Sequence, residues 1–323
     1  MTRPSGDKLQ ILYVAGVPRT GSTVLGRLLG DMPDVIFVGE LNFFWRRFAQ
    51  GELCSCRLPL PRCPFWSAVV SQAYGDLTHA DAMRMAELER HVLRKQFALG
   101  LAPAAWRARS ASRVGTMLTE RARLYQSIGQ FTGATWVVDG GKEPVFGSFL
   151  ARVDGADVGT IHLVRDPRGV AFSWQKLVQS DSEPRDMPRK APAMTAVDWV
   201  LQNTMVQLGM RRLSSTYVRV RYEELVTRPE HVLDEICRAT GLGQGTPAAT
   251  TGRGADPGDH HLVAGNPGVR QLSGNLRLRP DEDWRTQLPR AQQRLVTAIC
   301  SGLMTVYGYP LRTAARVRRP ESR

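Results

Sequence analysis

The sequence predicts an α/β fold, a three-layer α/β/α arrangement around a central parallel sheet, and three observations carry that prediction. A short, largely apolar run, QILYVAGV at 10–17, ends on a glycine-rich turn, as a buried parallel strand does. Further short apolar runs recur and alternate with segments of helical periodicity, the pattern of βα units. The composition, 42% hydrophobic and 23% charged over 323 residues, supports a sizeable core in a soluble chain.

Each element follows in chain order. STVLGRLLGDM (22–32) reads as a helix set on the glycine-rich turn, and DVIFVGE (34–40) as a second strand closing on an acid. Residues 42–135 are mostly helical in pattern and rich in Ala and Arg, interrupted by a proline- and cysteine-rich stretch near 54–64. WVVDGG (136–141) and GTIHLVRD (159–166) read as strands, with EPVFGSFLARV as the helix between them. PRGVAFSWQKLVQS (167–180) is a helix whose proline stands in the first turn, where a missing N–H is harmless. DSEPRDMPRKAPA (181–193), with three prolines and alternating charges, reads as a mobile surface loop. A long helix at about 194–213, a strand TYVRVRYEEL and a proline-started helix PEHVLDEICRATGL follow. A glycine-rich loop (243–275) and a helix near 289–305 complete the series. With no internal repeat or linker, residues 1–311 are expected to form one domain. Within it, 46–135 is a helical insertion or cap lining the acceptor region, and 312–323 is a basic, solvated tail.

The net charge is +13, and only five of the 43 basic residues are lysines. With a pI near 10.1, such a chain favours anionic partners. No aromatic residues interleave with the arginines of the tail, so no nucleic-acid partner is expected. No apolar run approaches the ~20 residues that span a bilayer. The N-terminal apolar run lacks a small-residue cleavage site and leads directly into the glycine-rich turn, so it reads as a core strand; the cytoplasm is the expected location. Five cysteines, an odd number, argue against a disulfide scaffold. Three of them cluster in CSCRLPLPRCPFW as Cys54, Cys56 and Cys63. A zinc site needs a fourth ligand, none lies at the usual spacing, and the nearest histidine is His79. A cysteine-pinned loop is therefore the expectation, and no metal ligand is assigned. The oligomeric state is not set by any of these features.

GVPRTGST (16–23) is the first segment with chemistry. Gly16 and Gly21 have the spacing of a nucleotide-triphosphatase P-loop, but Ser22 stands where the lysine belongs and Arg19 lies inside the loop. A glycine-rich turn between strand and helix aims backbone N–H groups at an anion, with the helix dipole assisting. Ser22 and Thr23 add hydroxyls, and Arg19 can fork onto phosphate or sulfate oxygens. The missing lysine counts against ATP or GTP chemistry. The second segment, LVRDPRGVAFSW (163–174), puts Arg165 at a strand end, where ligands gather in open α/β sheets, and Ser173 eight residues on. Both can meet a second phosphate away from the first.

Together these segments resemble the sulfotransferase family that uses 3′-phosphoadenosine 5′-phosphosulfate. GVPRTGSTVLGRLLG resembles its 5′-phosphosulfate loop and LVRDPRGVAFSW its 3′-phosphate motif. VRYEELVTRPEHVLDEICRATGL is similar to a strand–helix block of these enzymes, and GNPGVRQLSGNLRLRPDEDWRTQL, more loosely, to their C-terminal nucleotide-binding region. The resemblance covers 10–45, 136–178 and 216–242, loosely 260–310, and not 46–135. It implies a P-loop-like fold in which Pro18, Arg19, Thr20, Gly21, Ser22 and Thr23 hold the phosphosulfate. Arg165 and Ser173, with Arg270 and Arg277 near, would hold the 3′-phosphate, and the nucleotide product would be 3′-phosphoadenosine 5′-phosphate. With Arg19 in the loop and no nearby histidine, the chain looks like the carbohydrate and protein-tyrosine branch, which often uses a glutamate base. That implies Glu40, 21 residues after Arg19, for which a helix N-cap is the competing role. The block around Lys142 resembles a family segment with a lysine beside the sulfuryl group, where it would neutralise the leaving phosphate oxygen. With Arg19 and Lys142 supplying positive charge, no metal is required, and the acceptor is a hydroxyl of a small molecule, sugar or lipid.

Other residues carry less. His162 reads as core, Trp199 and Asn203 as helix packing, and His260 and His261 as donor or acceptor contacts. A nucleoside or small-molecule kinase with a degenerate loop, and a non-catalytic nucleotide-binding module, are the competing functions.

Overall fold

The computed structural model describes residues 8–99, 104–176, 189–243, 260–266, 269 and 278–312. The loop expected at 181–193 falls largely outside them, as do most of the 243–275 loop and all of the basic tail beyond Arg312. Among the described residues, five parallel strands form one sheet in the order β2-β3-β1-β4-β5: β1 (Leu9–Gly16), β2 (Val35–Phe37), β3 (Trp136–Lys142), β4 (Ala156–Val164) and β5 (Tyr217–Arg221). The strand β1 lies between β3 and β4, so the crevice where the chain turns both ways opens at its C-terminal end.

Alternation along β1 sorts its side chains onto two cores, as a strand's two-residue period requires. Leu9, Ile11, Tyr13 and Ala15 face one layer, while Leu12 and Val14 face the other. The second layer holds α1 (Ser22–Gly30) and α11 (Pro229–Thr240), whose Leu25, Leu28, Leu233 and Ile236 pack beneath Ile161 and Val218. The first layer is built from the insertion. Here α2 (Phe44–Ala49), α3 (Pro64–Tyr74), α4 (His79–Leu99) and α5 (Ala104–Thr132) bring Phe44, Trp45, Trp66, Leu124 and Ile128 against Ile11 and Val137. The insertion expected as a cap therefore also supplies one of the three layers. A third cluster joins α7 (Pro167–Ser173) and α8 (Pro192–Met205) to the final helix (Arg290–Val306) around the buried Trp199.

Two strands end earlier than expected. The second ends at Phe37, where Gly39 takes φ 81 and bridges Val263, although the Val38 amide and the Gly39 carbonyl still bond to Val138 and Gly140 of β3. The expected strand at TYVRVRYEEL stops at Arg221, and Tyr222–Thr227 forms α10. The helix expected over 167–180 ends at Ser173. Between β3 and β4, α6 (Pro144–Leu150) covers Tyr13 with Phe146.

Candidate active site

A cavity of about 500 Å³ opens at the C-terminal ends of β1, β3 and β4. Pro18, Arg19, Gly21, Ser22, Thr23, Glu40, Lys142, Arg165 and Ser173 all line it. Thr20 does not: its side chain is buried and its hydroxyl donates to the Val17 carbonyl at 2.8 Å, holding the loop's shape. Arg270 and Arg277 lie outside the described residues.

The loop owes its path to Gly21, at φ 92 the N-cap of α1; a Cβ there would stand 2.7 Å from the Tyr222 ring. The first amide bonded back into the loop is that of Leu25, to the Gly21 carbonyl at 3.0 Å. The amides of Ser22, Thr23 and Val24 thus form the open, positive end of α1, whose first turn has no acidic residue. Arg19 is held at φ 74 with its guanidinium 5.2 Å above the Trp174 ring. Burial lowers its pKa from the ordinary arginine value, and the Glu40 charge opposes that shift.

Lys142 reaches the same cavity through an irregularity in β3. Register with β1 shifts between Tyr13 and Ala15, Ala15 pairs with Lys142, and Lys142 adopts φ 63. Such a shift re-aims a side chain at a sheet end. Its Nζ sits 2.5 Å from Glu40 Oε1, and both side chains are about one-tenth exposed. Glu40 occupies the N-cap position of a short 3₁₀ turn, but its side chain makes no capping bond there; its ion pair is with Lys142. Non-glycine residues at positive φ are uncommon, and two of the five among the described residues are Arg19 and Lys142.

Beneath this pair, one buried carboxylate ties both strand ends. Asp139 Oδ1 accepts the Leu41 amide at 3.3 Å and the Gly141 amide at 2.8 Å, while Oδ2 accepts the Tyr125 hydroxyl. Burial pushes this carboxyl up to about 6, against those hydrogen bonds. Asp139 thereby fixes the residue after Glu40 and the residue before Lys142.

At the other end, Arg165 donates to the Arg19 carbonyl at 2.9 Å and to Asp281 Oδ2 at 3.1 Å, and its guanidinium lies 4.4 Å over the Tyr222 ring. Lys176 Nζ also meets Asp281, at 3.2 Å. Ser173, the last residue of α7, faces the same space.

Sequence reasoning missed Asp139, Glu143, Asp281, Lys176 and Tyr222. Glu143, beside Lys142, also lines the cavity, and burial raises its pKa. Asn42 lines it as well, with its buried Oδ1 lacking a hydrogen-bond partner among the described residues. Asp139, Glu143 and Tyr222 stand inside the quoted WVVDGG, EPVFGSFLARV and VRYEEL segments, but their roles depend on contacts between strands.

The histidines lie elsewhere. His162 is buried, bonded to Tyr217 at 2.6 Å and Asn203 at 2.8 Å, and desolvation lowers its pKa to about 4. Trp199 donates to the Arg165 carbonyl at 3.0 Å, so this core helix also backs the site. His260 meets Asp31 at 3.2 Å, and neither it nor His261 is among the residues lining the cavity, contrary to the donor- or acceptor-contact reading. His261 instead joins Cys54, Cys56 and Cys63, supplying from a distant segment the fourth group that chain spacing did not offer.

Comparison with known proteins agrees with this arrangement. A family model described as "Sulfotransferase family" matches residues 12–244. Mouse (Mus musculus) carbohydrate sulfotransferase 5 is 27% identical over 168 residues, a match spanning 46% of this chain and 41% of the mouse protein. Two solved structures share the fold across almost the whole chain. The sulfotransferase domain of the Synechococcus PCC 7002 olefin synthase has a TM-score of 0.53 at 20% identity, covering 97% of this chain and 99% of that one. The sulfotransferase domain of the curacin biosynthetic pathway has a TM-score of 0.54 at 16% identity, covering 95% and 100%. With the family model covering well over half of the chain, from β1 through α11, this protein belongs to the sulfotransferase family.

Proposed function

We propose that the protein transfers the sulfuryl group of 3′-phosphoadenosine 5′-phosphosulfate to a hydroxyl, with Glu40 as general base. The observation that carries the proposal is the Glu40–Lys142 pair, 2.5 Å apart, on the wall of the cavity that the open end of α1 enters. The 5′-phosphosulfate would rest on the α1 amides with Ser22 and Thr23, flanked by Arg19. Arg165 and Ser173 would take the 3′-phosphate at the opposite end.

In the reaction the acceptor oxygen attacks sulfur in line as the bond from sulfur to the bridging phosphate oxygen breaks. The acceptor proton passes to the Glu40 carboxylate, and negative charge grows on the departing 3′-phosphoadenosine 5′-phosphate. Lys142 and Arg19 stabilise that charge, so positioning and electrostatics supply the catalysis. Lys142 also holds the Glu40 carboxylate in place until the acceptor arrives. The acceptor would be a sugar, lipid or other small-molecule hydroxyl, and the mouse relative's name supports a sugar. The unpartnered Asn42 carbonyl offers an acceptor for a substrate hydroxyl. A reducing location, the cytoplasm, suits the five free cysteines.

Calorimetric titration of 3′-phosphoadenosine 5′-phosphate, ADP and ATP tests the donor. The 3′-phosphorylated nucleotide should bind at least about tenfold tighter than ADP, the worth of one charge-assisted contact. A clear preference for ATP would overturn the reading in favour of a kinase.

A further inference from the structure

We propose that Cys54, Cys56, Cys63 and His261 bind a structural zinc(II) ion, which fastens the 260–266 segment to the edge of the active site. The four ligand atoms all lie within 4.8 Å of one another. Cys56 Sγ is 3.6 Å from Cys63 Sγ, and His261 Nδ1 is 3.2 Å from Cys63 Sγ and 3.8 Å from Cys54 Sγ. A tetrahedral zinc with Zn–S near 2.3 Å and Zn–N near 2.0–2.1 Å sets its ligand atoms about 3.4–3.8 Å apart. The same sulfurs are too far apart for a disulfide, which needs about 2.05 Å, and all three cysteines are free. Three thiols and an imidazole are a soft, four-ligand set that leaves no position for substrate, which is the make-up of a structural site.

The chain around the cluster is shaped to present it. Leu53 bridges Pro59, the Cys54 amide donates to the Leu58 carbonyl at 2.9 Å, and Arg57 turns the corner at φ 67. Cys63 follows as the N-cap of α3. On the other side, the His261 ring stacks on Phe65 at 5.0 Å with the planes 2° apart, and its carbonyl accepts Trp66 Nε1 at 2.9 Å. Ser55 donates to the His260 carbonyl and accepts the Leu262 amide at 2.7 Å. Packing thus aims the imidazole nitrogen at the sulfurs, although Cys63 and His261 are 198 residues apart in sequence.

The fastened segment reaches the chemistry. The Val263 carbonyl accepts the Glu40 amide at 2.6 Å, the Val263 amide donates to Val38 at 3.0 Å, and the Asn266 amide donates to Thr23 Oγ1 at 3.1 Å. A metal at the cluster would stabilise this bridge by linking two segments that only tertiary contacts join.

The test uses the full chain without a histidine tag, purified under reducing conditions with zinc in the growth medium. Elemental analysis should find about one zinc per chain, and Cys56→Ser, at the most exposed of the three thiols, should lose most of it while keeping the far-UV spectrum of the folded protein. Cobalt(II) loading of the apoprotein should give thiolate charge-transfer and intense tetrahedral d–d bands that Cys56→Ser weakens. Should the variant not fold, chelation of the wild type decides. It should lower Tm by more than about 5 °C, restored by zinc and not by magnesium, and speed exchange of the Leu262 and Val263 amides. Less than a tenth of an equivalent of zinc with no cobalt bands overturns the site. Iron in place of zinc overturns the choice of metal, and unchanged amide exchange after zinc removal overturns the fastening role.

Discussion

The two ends of the cavity are built from the same pieces, a cation held by a carboxylate, yet they are anchored differently. At the Glu40 end the acid and Lys142 are both about one-tenth exposed, and each is fixed through its neighbour by the buried Asp139 carboxylate. At the Arg165 end the guanidinium is buried, but the Asp281 side chain is 27% exposed and lies on irregular backbone before Trp284–Gln287. Burial tends to raise the Asp281 carboxyl pKa, and Arg165 and Lys176 more than offset it, so the carboxylate stays charged. In the proposed reaction, a carboxylate locked beside the reacting atoms would suit proton transfer, and one resting on an arginine at the rim would suit exchange for an incoming phosphate.

The sharpest way to break that contrast is to neutralise each carboxylate near Lys142 in turn. Glu40→Gln should lower kcat by roughly 10²–10⁴-fold, the range for loss of a general base, while binding of 3′-phosphoadenosine 5′-phosphate changes little. Glu143→Gln removes the other carboxylate on that wall, whose pKa burial raises, and should cost less than about tenfold. The opposite order, measured with labelled donor and a working acceptor, would transfer the base role to Glu143.

At the other end, effects should appear in binding. Arg165→Ala should weaken 3′-phosphoadenosine 5′-phosphate by about 10–100-fold, the loss of a charge-assisted hydrogen bond, and ADP by much less. Asp281→Asn should act in reverse and tighten the 3′-phosphorylated nucleotide by about threefold, a modest gain because the site is partly solvent-screened. If Asp281→Asn instead weakens it, the carboxylate is a support for Arg165 and not a placeholder. The ADP comparison separates this from general damage, since Arg165 also holds the Arg19 carbonyl.

Which parts of this design were legible in the chain follows from how far each contact reaches. The parallel sheet, the glycine-rich turn and the proline-started helices are local matters of periodicity and turn chemistry. Glu40 came from the family resemblance, and the one helix and one strand between it and Arg19 are consistent with a shared sheet edge. The shortened β2 was not legible, because Gly39 beyond its end pairs with Val263, more than two hundred residues away. Asp281 meets Arg165 across 116 residues, and His261 meets Cys63 across 198. Neither spacing resembles a motif. Asp139, an acid inside an apolar strand and so a buried charge that demands partners, went unread in the sequence. Only the folded contacts show that it serves the Leu41 and Gly141 amides.

The Asp139 anchor also gives the smallest prediction, and it tests the fixed end directly. Burial raises its folded pKa to about 6, above the ordinary value near 3.9. Between these values the folded chain holds the proton more often than the unfolded chain. Its contribution is therefore full below about pH 4 and is lost as pH rises through about 6. Glu89, buried against Arg121 and pushed up to about 7 by desolvation, has the same sign and extends the window upward. His162, lowered to about 4 by desolvation, has the opposite sign, so the wild-type curve alone mixes the terms. Subtracting the Tm of Asp139→Asn from that of the wild type isolates one of them. That difference should fall by about 1.5 °C for each kcal/mol involved between pH 4.5 and 6.5, and then level off. A difference that rises across this window would mean that the hydrogen bonds from Leu41, Gly141 and Tyr125 outweigh burial. Asp139 would then hold the Glu40 end as a carboxylate stabilised in its charged form.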